Sequence, residues 1–372
     1  MTQGSDPTVS SKFIIMRTKA ILLFVLFAQL PFSWCIGKNK NLLLDVKEID
    51  YLGKSRTTLV GKQLDWEVMG ADDMIIQDSL LMFITSDVKG QLKVFNLNTQ
   101  KQVGSFCLKG RAGNEFLQVI DLSRQTYVKD ADIYYPLVDP YNNELKEVNV
   151  SESIRRQSTV VTSVSESRFP DTFVLLDNDI NKRFVCSYYV EPDVMDIKSI
   201  PVTHYVKKGD NVDVIKVYGG KMKLEDKHSA ITPYAGNLYK HPDRNLVVKV
   251  HAGMDYLFFF DFDRNKNFAV HQKGAVSFDD ILPQNKDGKI TFSDVALAKD
   301  CIFILYFDTP ENRNLAKTDE RRKPELLVFD WDGNFLWSAK FDKRINRIAY
   351  DEKNHILYGM DSSIEELYSF NL

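Results

Sequence analysis

Four aspartates, Asp73, Asp121, Asp279 and Asp294, stand just before or within apolar runs of the chain. A hard cation such as calcium takes about six to eight oxygen ligands, so carboxylates gathered on one axis could hold one. Aspartate also closes turns, because its side chain bonds the backbone two residues on, and turn and cap duty is the plainer reading of all four. His241 and His251 flank another apolar run, and two imidazoles at a strand's ends could meet a metal; the alternative is an ordinary packed or surface histidine. In "GRAGNEF" (110–116), Arg111 and Glu115 offer a further ligand site, since a guanidinium fork grips carboxylate or phosphate. The same pair could instead bind each other while Phe116 fills the core.

The established catalytic signatures are missing. There is no GxSxG elbow, no GxxxxGK[ST] loop, no HExxH and no EF-hand pattern, so no catalytic residue and no metal set is assigned. Three cysteines, Cys107, Cys186 and Cys301, lie inside apolar runs without a CxxC pair and read as buried thiols acting as small hydrophobes. A formal net charge of −3, with Lys and Arg scattered, excludes a nucleic-acid footprint.

These residues need a scaffold, and the sequence repeats one. Apolar runs ending in an aromatic or Val, then Asn or Asp, then another apolar residue recur around Phe95, Val148, Tyr188 (a degenerate copy), Phe260, Phe329 and Phe370. Each reads as a strand, a polar turn and a second strand, as in "LLVFDWDGNFLWSAKF" (326–341), where Asp-Gly is a strong hairpin signal. Propeller blades take about 40–50 residues, so six copies predict an all-β, six-bladed β-propeller over 42–372. The last copy stops at Leu372 without its outer strand, which would leave an unpaired edge. Either "LLLDVKEIDYL" (42–52) or "RTTLVGKQL" (56–64) could supply it from the other end of the chain. Long segments at 219–245 and 317–324 read as loops on that scaffold.

The first 35 residues read as a signal peptide with Met16 as the true start: a basic 16–19 followed by "AILLFVLFAQLPF" (20–32), too short to span a bilayer. Cys35 is placed for lipidation, with ordinary cleavage near it as the alternative, and 36–41 is a short linker.

"LKGRAGNEFLQVIDLS" (108–123) and the C-terminal "FDWDGNFLWSAKFDKRINRIAYDEKNHILYGMDSSIEELYSFNL" resemble the TolB-like six-bladed propeller proteins of Bacteroidetes. The likeness covers roughly 45–372 and departs from the usual Gly-Pro-Gly at Ala112, Gly113 and Asn114. It implies an exported protein, often a lipoprotein, in the periplasm or at the cell surface. It implies a scaffold for binding an envelope protein or a carbohydrate rather than a reaction, without cofactor, and with the membrane reached only through an anchor at Cys35. Some six-bladed propellers are lactonases built around a central calcium, which gives the alternative: a calcium-dependent lactonase or hydrolase using the aspartates at a central channel.

Overall fold

The computed structural model describes residues 45–54, 57–166, 172–188, 202–208, 211–218, 236–275, 289–310 and 323–372. The signal segment, Cys35, the linker 36–41, Asp279 and most of 219–245 and 317–324 lie outside them.

Three short strands come first: β1 (Asp45–Ile49), β2 (Thr57–Leu59) and β3 (Lys62–Leu64). The first sheet is β4 (Ala71–Gln77), β5 (Leu80–Thr85), β6 (Leu92–Asn96) and β7 (Lys101–Phe106). The second is β8 (Tyr127–Lys129), β9 (Asp132–Asp139), β10 (Glu144–Asn149) and β11 (Val161–Glu166), with one helix, α1 (Val150–Arg156), between its last two strands. The third is β12 (Thr172–Leu175), β13 (Arg183–Tyr188), β14 (Val202–Lys208) and β15 (Asn211–Tyr218). The fourth is β16 (Gly236–Lys240), β17 (Leu246–His251), β18 (Tyr256–Asp261) and β19 (Lys266–Gln272). The fifth is β20 (Lys289–Leu297), β21 (Cys301–Pro310), β22 (Glu325–Asp330) and β23 (Phe335–Phe341). The last is β24 (Arg347–Asp351), β25 (Ile356–Asp361) and β26 (Glu366–Asn371).

Each sheet is an antiparallel meander in chain order, and the whole is an all-β propeller. Outside the third sheet, second and third strands are largely buried on both faces, because each sheet packs between two others; β5 and β18 are buried at all six positions. The core is therefore a set of slabs between neighbouring sheets rather than one centre, as in the Val248–Phe259–Phe329 slab between the fourth and fifth.

The recurring Asn or Asp closes the turn after the third strand. Asn96 Oδ1 accepts the Asn98 and Thr99 amides at 3.0 Å each, and Asp330 Oδ1 accepts those of Asp332 and Asn334 at 3.0 and 2.8 Å. In the second sheet the same residue, Asn149, caps α1 by accepting the Glu152 amide at 2.8 Å, so its copy turns through a helix. Phe95, Val148, Phe260, Phe329 and Phe370 lie on third strands. Tyr188 does not: it ends β13, the second strand of its sheet. Its aromatic run mimics the repeat because buried second and third strands have the same composition.

The unfinished last sheet takes β3 as its outer strand, Leu64 pairing with Leu367 and Lys62 with Ser369. The 56–64 segment, not 42–52, thus fills the edge. The earlier strands go elsewhere: β1 runs parallel to β19 outside the fourth sheet and β2 parallel to β23 outside the fifth. The N-terminal segment is a belt across three consecutive sheets, held by Asp342 accepting the Gly61 amide at 2.8 Å and Gln272 accepting that of Tyr51 at 3.0 Å.

Candidate functional site

The first strands of the sheets converge on an axis, and a cavity of about 920 Å³ opens there, at the end where first strands turn into second strands. Ile76, Val295, Leu297 and Ile348 give it apolar wall; Gln125, Thr126 and Asn178 add amide and hydroxyl groups. At its rim are Asp78, Asp243, Lys299 and Lys353, all on turns.

The inner end is closed by Arg124, a residue that sequence reasoning passed over. Its guanidinium pairs with Asp73 on β4 and Asp294 on β20, and the three side chains are 10%, 16% and 2% exposed. Burial, the largest single influence, lowers the guanidinium's pKa, but the fields of Asp294, Tyr239 and Tyr135 together outweigh it, and the net direction is upward. Asp294 also accepts the Ile348 amide on β24 at 2.7 Å, and Arg347 donates to the Asp72 carbonyl at 2.8 Å. One cation thereby ties the approach to β8 to the first, fifth and last sheets.

Asp121 sets the backbone that aims this arginine. Its Oδ1 accepts the Arg124 and Ser123 amides at 2.7 and 3.1 Å, and its Oδ2 accepts the Tyr135 hydroxyl at 2.6 Å. These bonds hold Arg124 at φ 48°, in the left-handed region. Burial pushes the Asp121 carboxyl up to about 6, against the Tyr135 hydroxyl and the amides that hold it down.

Three of the four aspartates therefore do converge, but on an arginine. Both oxygens of each are engaged: Asp73 Oδ1 accepts the Met74 amide at 2.8 Å, and the other five take the donors just described. That donor set, closed around a guanidinium, does not fit a calcium ion. Among the described residues no group of three or more His, Cys, Asp and Glu side chains is arranged to hold a metal.

The two histidines do not meet. Gly236, at the start of β16, pairs with His251, whereas His241 follows the end of that strand, about 17 Å away at 3.3 Å per residue. His241 Nδ1 accepts the Asp243 and Arg244 amides at 3.0 and 3.2 Å, playing the part of an Asx side chain, and its ring lies 4.7 Å from that of Trp331. Burial brings its pKa down to about 4. His251 is fully buried, donates from Nδ1 to the Tyr256 carbonyl at 3.2 Å, and is held neutral by burial.

Arg111 and Glu115 lie in the connection between β7 and β8, away from the cavity. Glu115 turns back on its own loop, Oε2 accepting the Ala112 amide at 2.8 Å and filling the space over Gly110 that a Cβ would need. Phe116 is buried beneath the Lys146 ammonium, 4.7 Å from its ring centre, and Lys146 also bonds the Glu115 carbonyl at 2.6 Å. Arg111 is exposed. Cys107 and Cys186 are buried and Cys301 is half-buried, with burial raising the pKa of Cys301 to about 11.

The fold has solved counterparts. A protein of Bacteroides fragilis described as exported superimposes with a TM-score of 0.51 at 12% identity, over 88% of this chain and 98% of that one. A DUF4221 family member from Bacteroides vulgatus gives 0.52 at 11% identity, over 89% and 97%. A comparison with curated sequences finds no match. Sequence likeness does reach a family model over residues 70–353, most of the ring, and the chain belongs to that family, the TolB-like 6-blade propeller-like proteins.

Proposed function

We propose that this chain is an exported, non-catalytic binding scaffold of the cell envelope, a ring of six blades latched by the β3–β26 pairing, which takes a ligand in its axial cavity. The observation that carries the reading is the cavity itself: about 920 Å³, walled by apolar side chains with a few amide, hydroxyl and charged groups around them. Binding sites commonly have that size and mixture. Export is supported by the signal-like 1–35, with Cys35 as the point of a lipid anchor, and by the exported description of the Bacteroides fragilis counterpart. A calcium-dependent lactonase does not fit the three described aspartates, Asp73, Asp121 and Asp294, whose carboxylates are already engaged by Arg124, by backbone amides and by the Tyr135 hydroxyl.

The test is a screen of small polar compounds and short oligosaccharides against melting temperature, repeated on Thr126→Trp. The indole would enter the cavity from a half-buried position on its wall. Compounds that raise the melting temperature of the native chain should lose their effect on the variant. Equal responses from the two proteins would place binding elsewhere and refute the axial site.

A further inference from the structure

Four lysines among the described residues are buried, Lys93, Lys146, Lys240 and Lys249; Lys249, on β17, is engaged elsewhere, and the other three can be compared by their partners' chemistry. Lys146 has Glu144 at 3.0 Å, the Glu115 carbonyl and the Phe116 ring. Lys93 has Asp87 at 3.4 Å. Lys240, the last residue of β16, is only 7% exposed and lines the axial cavity, yet its ammonium reaches a single backbone carbonyl, that of His241, at 3.3 Å. Among the described residues it has no ion pair.

The carboxylates whose fields reach Lys240 are Asp177, Asp243 and Asp263, and each is held by another group. Asp177 takes Arg183 in a fork at 2.7 and 3.0 Å. Asp263 takes the amide and side chain of Asn245 at 3.1 and 3.2 Å, and Asp243 pairs with Lys299 at 3.3 Å. Of the other acids on the cavity, Asp78 takes the Gln77 side-chain amide at 3.4 Å, Asp351 is turned to Asn354 at 2.7 Å and Glu352 to the Lys299 amide at 3.0 Å. An ammonium has three protons to donate, and burying it without a counter-charge is costly.

We propose that the cavity takes a small ligand bearing an anionic group, a carboxylate or a phosphate, and that Lys240 is its counter-charge. The proposal rests on the axial cavity being the binding site and adds the ligand's chemistry to it. Burial, which lowers the lysine's pKa, works against the charged form; an oxyanion beside Nζ would reverse that balance and accept hydrogen bonds from the ammonium.

Two measurements decide it. In the empty protein, Lys240→Met keeps the length of the side chain and removes the unpaired charge, so it should melt above the native chain. A lower melting temperature would show that Lys240 is structurally paired and overturn the proposal. For binding, glucose, glucuronate and glucose 6-phosphate form a matched set of neutral sugar, carboxylate and phosphate for calorimetric titration. One or both anions should bind the native chain at least tenfold more tightly than glucose, and Lys240→Gln should abolish that preference while Lys353→Gln, at the rim, keeps it. Which anion prevails identifies the headgroup. Glucose binding as tightly as either anion, with Thr126→Trp abolishing it, would leave the axial site standing and sink the anion. No binding of any of the three by the native chain, with no preference for Lys240 to lose, would sink the anion as well.

Discussion

Replacing Arg124 by Met tests the geometry of the ring's centre. The substitution keeps most of the side-chain volume and removes the guanidinium, leaving the Asp73 and Asp294 carboxylates facing each other at 16% and 2% exposure. Removing one partner of a buried pair costs about 3–5 kcal/mol, because the remaining charge has lost both water and counter-ion. A folded region of this length unfolds with an entropy on the order of 0.7 kcal/mol per kelvin, so the melting temperature at pH 7 should fall by about 4–7 °C. The sign with pH is fixed by the same reasoning. Two adjacent buried carboxylates without a cation resist joint ionisation, so their folded-state pKa values in the variant rise above those of the unfolded chain. Between the two values the folded state then binds more protons than the unfolded one, and the variant gains stability as pH falls. The deficit against the native chain should therefore shrink from pH 7 to pH 4.5. Differential scanning calorimetry at both values reads it. Millimolar calcium should also raise the melting temperature of Arg124→Met more than that of the native chain, since only in the variant have Asp73 and Asp294 lost their guanidinium. A variant that melts within 1 °C of the native chain at pH 7, or whose deficit grows on acidification, would refute the network.

His241 makes the fold acid-sensitive. Its pKa, lowered by burial to about 4, lies below that of the unfolded chain, so stability is lost as pH falls from about 6.5 towards 4. His241→Asn preserves an acceptor for the Asp243 and Arg244 amides and should remove roughly 1–2 kcal/mol of that loss in denaturant titrations, whereas His241→Ala should be less stable than His241→Asn at every pH. Truncation separates latch from belt. A chain beginning at 56 loses β1 yet keeps β2 and β3, and should melt cooperatively at a lower temperature; one beginning at 66, or lacking 364–372, should lose its cooperative transition.

The parts of this structure that could be read from sequence are those whose cause is local. A third strand ends in Asn or Asp because the side chain must catch amides two to four residues on, so the signal recurs wherever the turn recurs. The same locality produced the one misplaced copy, since "VCSYYV" has the composition of a third strand and only the pairing of β13 with both β12 and β14 shows it to be a second. The missing outer strand could be inferred from an unfinished edge, but its supplier could not, because 42–52 and 56–64 have equal strand character and both do add to sheets.

The centre of the ring follows a different rule. Arg124 sits in a polar lead-in with no periodic pattern, and its partners are 51 positions back and 170 ahead. Nothing near it in the chain marks it. The aspartates were visible as a possible cluster because each lies just before or within an apolar run that reads as an inner strand. Sequence could thus bring negative charges to one place without revealing what neutralises them. Lys240 shows the converse. In sequence it is an ordinary lysine closing a strand, and its meaning comes from subtraction: among the described residues every nearby carboxylate is held by another donor, which leaves a buried positive charge on the wall of a cavity large enough for a ligand. A charge that the fold itself does not neutralise points outward, to a molecule that does.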